Sequence, residues 1–477
     1  MQSTTHRWPA LYVLCLATLM IVLDTSVVNV ALPSIRDSLG FSQAGLSWVI
    51  NAYILTFGGF LLLGGRLGDI FGHRLLFLIG VVLFTISSLA CAMAPTATAL
   101  IVARAVQGVG GAIAEAVALS LIVNLFPEPG ERAKAMGITG FVASGGGALG
   151  ALLGGVLTGL LNWHWIFLIN LPLGALVCVL AMRWVPESDA PITRQRLDVG
   201  GAFTITAALI LVVRAIVGGN DAGWTSVTTL GLLGAGIAFA IAFVVIETRV
   251  ASPLVPLGML ARRNLATANI IGILWAAAMF AWFFISALYL QLVLGKGPLE
   301  VGIAFLPANL LMGALSVGVS GKLVTKFGMR KPLIVGLAFA AAGLALFSQI
   351  RADGDVLRDI MPAMLLLGGG AGIAFNPVLL AAMTDASPEE SGLASGIVNT
   401  SFQLGGALGL AILASVASYQ TGVHLADGAS QAEALTAGYR AAFLIGALFA
   451  ALAAALGLVI REDAMTAEER EAMAVHA

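Results

Sequence analysis

A chain of 477 residues that is 59% hydrophobic and only 10% charged is not a soluble multidomain protein, whose charged share is about 25%. Its formal net charge of −1 offers no basic surface for nucleic acid. The three cysteines, Cys15, Cys91 and Cys178, fall inside apolar runs and read as packing residues rather than as a disulfide or metal site.

The apolar residues come in blocks of about twenty, the length that crosses the hydrocarbon core of a bilayer. In chain order they lie near 9–33, 45–65, 75–94, 97–125, 135–160, 164–184, 199–218, 226–246, 267–292, 300–320, 332–349, 361–383, 392–418 and 439–460. The first is too long for the core of a cleaved signal peptide and counts as a span. The predicted fold class is therefore an all-α polytopic membrane protein with fourteen transmembrane helices. An even count puts both termini on one side. Of the 24 Lys and Arg residues, the loops on the other side hold Arg36, Lys296, Arg351, Arg358 and Arg440, and Arg104 and Arg214 lie within spans. Positive charge collects in the cytoplasm, so both termini are expected there, in the cytoplasmic (inner) membrane of a bacterium.

Span one carries Asp24, in MIVLDTSVVNVALP. A charge at the bilayer centre costs at least ~2.5 kcal/mol, so it is expected to face the bundle interior. After span two comes GRLGDIFGHRLL at 65–76, and after span ten GKLVTKFGMRKP at 321–332 repeats its Gly, Leu, Phe, Gly and Arg at the same offsets. Such recurrence is the sign of a transporter built from repeated bundles. Gly65, Asp69, Gly72 and Arg74 are candidates for a gating element, the alternative being a charged turn that only sets topology. Thr325 stands at the place of Asp69 in the second copy, which lacks the carboxylate. Asp69 is expected to contact a basic or helix-end group near spans four and five.

Span four holds Arg104 and Glu115 on one helix face with Gln107, Gly108 and Gly111. The two charges are roughly 16 Å apart along the axis, too far to pair, so each needs a partner elsewhere. Asp24 and Glu115 are candidates for proton or substrate binding, or else satisfied structural polars. They are staggered in depth, Asp24 past the midplane and Glu115 nearer the cytoplasm. In span five, Gly146, Gly150 and Gly154 recur every fourth residue and permit close helix approach in lipid. Gly145, Gly147 and Gly150 match a dinucleotide fingerprint by letter only, since no strand precedes them.

The block 199–246 does not fit the repeat and reads as an inserted hairpin, its one deeply placed charge being Arg214. The expected domains are a six-helix bundle at 1–184, a cytoplasmic linker at 185–198, the hairpin at 199–246, a second linker at 247–266, a six-helix bundle at 267–460 and a cytoplasmic tail at 461–477. In span nine Trp275, Met279, Trp282 and Phe283 share a face, either as a packing stripe or as the wall of an apolar pocket. Asn399 and Gln403 form a polar pair on span thirteen that could line a cavity. No phosphate-binding loop, metal-ligand cluster or nucleophile–base set occurs in the sequence. An enzyme is not expected, nor a cofactor; the proton gradient is the expected energy source.

These strings resemble the major facilitator superfamily, and within it the 14-span drug:proton antiporter family, over nearly the whole chain. The stretch 65–74 is similar to the loop motif after span two, with His73 at a usual Arg. LDTSVVNVALP resembles the span-one signature, which carries over Asp24, Asn29 and Pro33. The run from Arg104 to Gly110 is similar to the span-four motif whose arginine is implicated in proton coupling. Gly137, Gly146, Gly150, Gly154 and Gly155 fit the antiporter glycine motif of span five, although Ala151 replaces its proline. NWHWIFLINLPLG at 162–174 resembles a further signature, with His164 at a usual Arg. Glu115 and Ala116 stand where span four usually has a proline.

The resemblance implies a proton-coupled exporter of lipophilic, often cationic compounds, working by alternating access. Asp24, Arg104 and Glu115 would couple protons. From the residues themselves, and not from the resemblance, Asp24, Glu115, Trp275, Met279, Trp282, Phe283, Asn399 and Gln403 are the candidates for binding substrate. The expected partners are small molecules, protons and the lipid bilayer, with no nucleic acid, and the expected state is a monomer. The alternatives are a dedicated exporter of one antibiotic or metabolite, an importer, and a transport-dead sensor or scaffold.

Overall fold

A computed structural model describes residues 7–42, 45–187, 197–250, 253–384 and 390–461. Among the described residues, fourteen helices are long and apolar enough to cross a membrane: α1 (Arg7–Leu39), α2 (Gly45–Phe71), α3 (His73–Ala92), α4 (Ala97–Leu125), α5 (Lys134–Leu160), α6 (Trp165–Trp184), α7 (Val199–Ala222), α8 (Val227–Arg249), α9 (Arg263–Val293), α10 (Pro298–Phe327), α11 (Arg330–Phe347), α12 (Val356–Met383), α13 (Leu393–Ala426) and α14 (Gln431–Val459). Helix is the form that satisfies every backbone polar group within one apolar segment. The ends are set by local chemistry. Thr96 caps α4 by accepting the Ala99 N–H, and Ser430 and Glu433 form a capping box at the start of α14.

The chain divides into two compact units, Met1–Arg214 with Leu230–Leu254, and Ala215–Thr229 with Val255–Ala477. In the first, α2 and α3 pack on α4, α1 packs on α5, and α6 lies against α1 and α3. In the second, α10 and α11 pack on α12, α9 packs on α13, and α14 lies against α9 and α11. These pairings recur in the two units, and in the second α14 also packs on α13.

The two related strings share a backbone as well. Gly72 ends α2 at φ 93° and Gly328 ends α10 at φ 77°, a region that a side chain would strain. Each N–H bonds back to the carbonyl four residues earlier, that of Gly68 at 3.0 Å and that of Val324 at 2.9 Å.

Two differences separate the units. The second contains π-helical turns at Tyr289–Val293, Ser316–Ser320 and Val356–Ile360, and two prolines inside helices, Pro307 and Pro377, where the first has Pro33 of α1. The hairpin α7–α8 contributes to both: Thr206 of its base fills the groove at Gly59 of α2. At its tip Asn220 donates to the Ser415 carbonyl and hydroxyl on α13, at 2.8 and 3.0 Å. Arg214 is exposed.

Candidate functional site

Asp24 lies midway along α1 and is 0% exposed. Arg104 of α4 reaches it through Nη1 at 2.5 Å, and Gln107 and Asn170 each donate to its Oδ1 at 2.8 Å. Ser88 of α3 joins them, accepting from Gln107 at 2.7 Å and from Asn170 at 3.2 Å. The guanidinium also donates to the Val49 carbonyl at 3.0 Å and to Gln107 Oε1 at 2.7 Å. It lies 4.4 Å from the ring centre of Tyr53 and 5.7 Å from that of Phe167. Five helices, α1, α2, α3, α4 and α6, thus meet on one carboxylate–guanidinium pair. Removing water from such a pair is costly, and the surrounding hydrogen bonds and ring faces compensate it.

Glu115 stands apart from that pair. It is half-buried and accepts from Thr18 Oγ1 of α1 at 3.0 Å. Thr18 precedes Asp24 by six residues, so the two acidic levels are about 9 Å apart along α1.

The close approach that brings α1 to the centre comes from α5. Gly150 and Gly154 lie against α1 so tightly that a Cβ would fall 2.6 Å from Ser26 Cβ and 2.7 Å from the Val27 carbonyl oxygen. Gly146 faces Leu19 and Val22, whereas a Cβ on Gly137 would meet nothing within 4 Å. Gly155 is buried. The glycine spacing therefore serves packing between α5 and α1.

The second unit has no buried charge among the described residues. In its place are aromatic rings and unpaired polar groups. Trp275, Phe375, Val378, Leu379, Val398, Asn399 and Phe402 line one small pocket. Further along α9, Trp282 lies 4.4 Å from Phe283 and 6.1 Å from Phe305 of α10, between ring centres. Trp275 and Trp282 are buried, while Met279, Phe283, Asn399 and Gln403 are half-buried. The indole N–H groups of both tryptophans, the Ser286 hydroxyl and both ends of the Asn309 amide lack hydrogen-bond partners. Each such group costs about 1–3 kcal/mol when left unsatisfied.

The profile of the major facilitator superfamily matches residues 14–410. The chain belongs to that superfamily. It is 38% identical to the puromycin resistance protein pur8 of Streptomyces alboniger, over 93% of this chain and 88% of that one. It is 37% identical to the cephamycin export protein CmcT of Amycolatopsis lactamdurans, over 90% and 88%. Among solved structures, an auto-inhibited peptide transporter of the POT family superposes with a TM-score of 0.67 at 18% identity, covering 96% of this chain and 98% of that one. The nucleoside transporter NupG superposes with a TM-score of 0.66 at 14% identity, covering 95% and 100%. These structures support the fold.

Several residues of this superfamily transporter differ from the sequence-based expectation. Arg104 finds its partner in Asp24, two residues that sequence spacing alone does not connect. Asp24 is also enclosed, with both oxygens engaged inside the protein, so the arrangement leaves it no free contact for a substrate. Among the described residues, Asp69 pairs with His73 and not with a group of spans four or five. Its Oδ1 lies 3.2 Å from His73 Nε2, because the turn at Gly72 folds the start of α3 back over the end of α2. Arg74 instead pairs with Glu187, beyond α6, at 3.0 Å and donates to the Met182 carbonyl in the last turn of α6. The contact with α4 is made by the helix itself: a Cβ on Gly64 would lie 3.0 Å from Ile113 Cα, and one on Gly68 would lie 3.1 Å from Val117. Ser88, Asn170, Tyr53, Ser286 and Asn309 were not among the expected site residues. Asn170 lies within the NWHWIFLINLPLG string, which marked the place without revealing the partner.

Proposed function

We propose that this transporter exports lipophilic, often cationic compounds from the cytoplasm in exchange for protons. The observation that carries the reading is the buried pair of Asp24 and Arg104. As a carboxylate, Asp24 holds the guanidinium and the amides of Gln107 and Asn170. A proton on Asp24 removes the opposing charge and leaves Arg104 buried with only dipoles and ring faces around it. Leaving one member of a buried pair uncompensated costs about 3–5 kcal/mol. A proton gradient supplies ~1.4 kcal/mol per pH unit, and the membrane potential about 2.3 kcal/mol per charge at 100 mV. These magnitudes are comparable, so protonation of one residue can bias two conformations of the transporter.

Substrate handling is assigned to Glu115 and to the aromatic pocket of the second unit. Glu115 keeps an open side and suits a cation. Trp275, Met279, Trp282, Phe283, Asn399 and Gln403 offer apolar area with hydrogen-bonding groups, as small-molecule sites do. The same reading places the protein in a bacterial cytoplasmic membrane with both termini inside, working as a monomer without a cofactor. It divides the chain into bundles 1–184 and 267–460 around the hairpin 199–246.

The names of its relatives, which concern puromycin and cephamycin, favour antibiotics as the substrate class. They also favour a second reading, a dedicated exporter of one such compound. Reconstitution in liposomes with an imposed pH gradient, and a panel of cationic, neutral and anionic compounds, separates the readings. Gradient-dependent efflux of many compounds supports the first and of a single compound the second. Efflux indifferent to the gradient refutes proton coupling.

A further inference from the structure

Tyr53 of α2 is 0% exposed, and its hydroxyl has no hydrogen-bond partner. Its ring is well used. It stacks on Phe57 at 5.7 Å, meets Phe84 edge-on at 6.5 Å and faces the Arg104 guanidinium at 4.4 Å. Phenylalanine would make all of these contacts without burying an unsatisfied hydroxyl, which costs about 1–3 kcal/mol. The hydroxyl is therefore the part of the side chain that packing does not explain.

Its position suggests what it does. A Cβ on Gly111 would lie 3.0 Å from the Tyr53 oxygen, so the hydroxyl rests against α4 at the level of Gly111, where glycine makes room for it. Gly111 is four residues from Gln107 and four from Glu115, about one turn in each direction on the same helix face. On one side lie Gln107, Arg104 and Asp24; on the other lies Glu115, held by Thr18. Each level is about 6 Å away along the helix axis, which puts the hydroxyl between the two acidic groups.

We propose that Tyr53 is the proton relay between Glu115 and Asp24. This rests on the proton-coupled reading above. The hydroxyl accepts a proton from the Glu115 side, through a water, while giving its own hydrogen towards the Asp24 side. The net change is one proton moved between the two carboxyl groups, with the tyrosine again neutral after its O–H rotates. Among the described residues, the titratable or charged groups that meet this region are Asp24 and Cys15 from α1, Cys91 from α3, whose thiol donates to Gln107 Oε1 at 3.6 Å, and Arg104 and Glu115 from α4. The relay links the enclosed carboxylate to the one with an open side, so Asp24 can exchange protons without itself reaching solvent.

The test uses the full-length protein in liposomes with ethidium as the cationic probe. Two rates are compared: efflux driven by a pH gradient, and ethidium-for-ethidium exchange without a gradient, which moves no net proton. Tyr53→Phe keeps the ring and removes the hydroxyl. Gradient-driven efflux is expected to fall about tenfold or more, the low end of a lost proton-transfer group being ~10²-fold when chemistry limits the rate. Its pH profile should change, while exchange falls much less than gradient-driven efflux. Gly111→Ala, which crowds the hydroxyl, should give the same selective loss, and the double variant should lose no more than either single one. Equal falls in both rates would mean that Tyr53 only holds structure, and unchanged rates with an unchanged pH profile would equally overturn the relay. If wild-type efflux ignores the gradient, the proton-coupled reading itself fails, an outcome distinct from a failure confined to Tyr53.

Discussion

The two units share a helix pairing and a glycine turn, yet they use their interiors in opposite ways. The first buries Asp24 and Arg104 and surrounds them with bonded amides and a serine. The second buries no charge among the described residues and leaves indoles, a serine and an asparagine amide unbonded beside aromatic rings. Its helices also carry the π turns, which place irregular backbone near functional positions in membrane helices. One scaffold thus supports a hydrogen-bonded carboxylate–guanidinium pair in one copy and an uncharged, ring-rich interior in the other. Repetition of a fold constrains helix packing and leaves the interior chemistry free to diverge.

The strongest way to break this contrast is to remove its charge. Asp24→Asn should abolish gradient-driven efflux of every compound and destabilise the first unit by about 3–5 kcal/mol, since Arg104 would be left unpaired. Adding Arg104→Gln should recover much of the thermal midpoint without recovering efflux. Full recovery of both would show the pair to be structural.

Asn170→Ala removes one hydrogen bond to a charged group, worth about 1.5–3 kcal/mol. Efflux of all compounds should slow together, with their order of preference retained. A change in that order would shift Asn170 from the network to substrate recognition.

Glu115→Gln probes the acidic group outside the buried pair. Efflux rates of cationic compounds should fall most and those of neutral ones least. Equal losses across charges would reassign Glu115 to the proton path alone, and equal rates would remove it from transport.

In the second unit the unpaired indoles allow a finer test. Trp275→Phe removes the N–H, keeps an aromatic ring and should leave the thermal midpoint nearly unchanged. Binding measured by fluorescence should weaken for compounds with hydrogen-bond acceptors and hold for purely apolar ones. Uniform weakening would mean that only ring area matters.

The smallest effect on stability is expected at Asp69. Its side chain is 54% exposed beside His73, and exposed pairs contribute about 0–1 kcal/mol. Asp69→Asn should therefore leave expression and melting intact while reducing transport. Wild-type transport would reduce the pair to a topology signal.

Much of this architecture is visible in the chain alone because lipid imposes its constraint residue by residue. A bilayer of fixed thickness sets the length of each apolar block, so fourteen spans can be counted before any contact is known. The offsets shared by the strings at 65 and 321 expose the repeat, since the same tight turn needs glycine at the same place. Asp24, Arg104 and Glu115 stand out because charge within a span is expensive. Tertiary structure alone decided which partners those charges meet. Asp24 and Arg104 are 80 residues apart, and Asp24 and Asn170 are 146 apart. Hydropathy has no memory over such separations, and a polar residue in a span declares a need for a partner without naming it. The glycines of α5 settle how near α1 can come, and Gly111 leaves room for the Tyr53 hydroxyl. Pairing follows from where packed helices bring side chains, a property of several segments at once and of no single stretch.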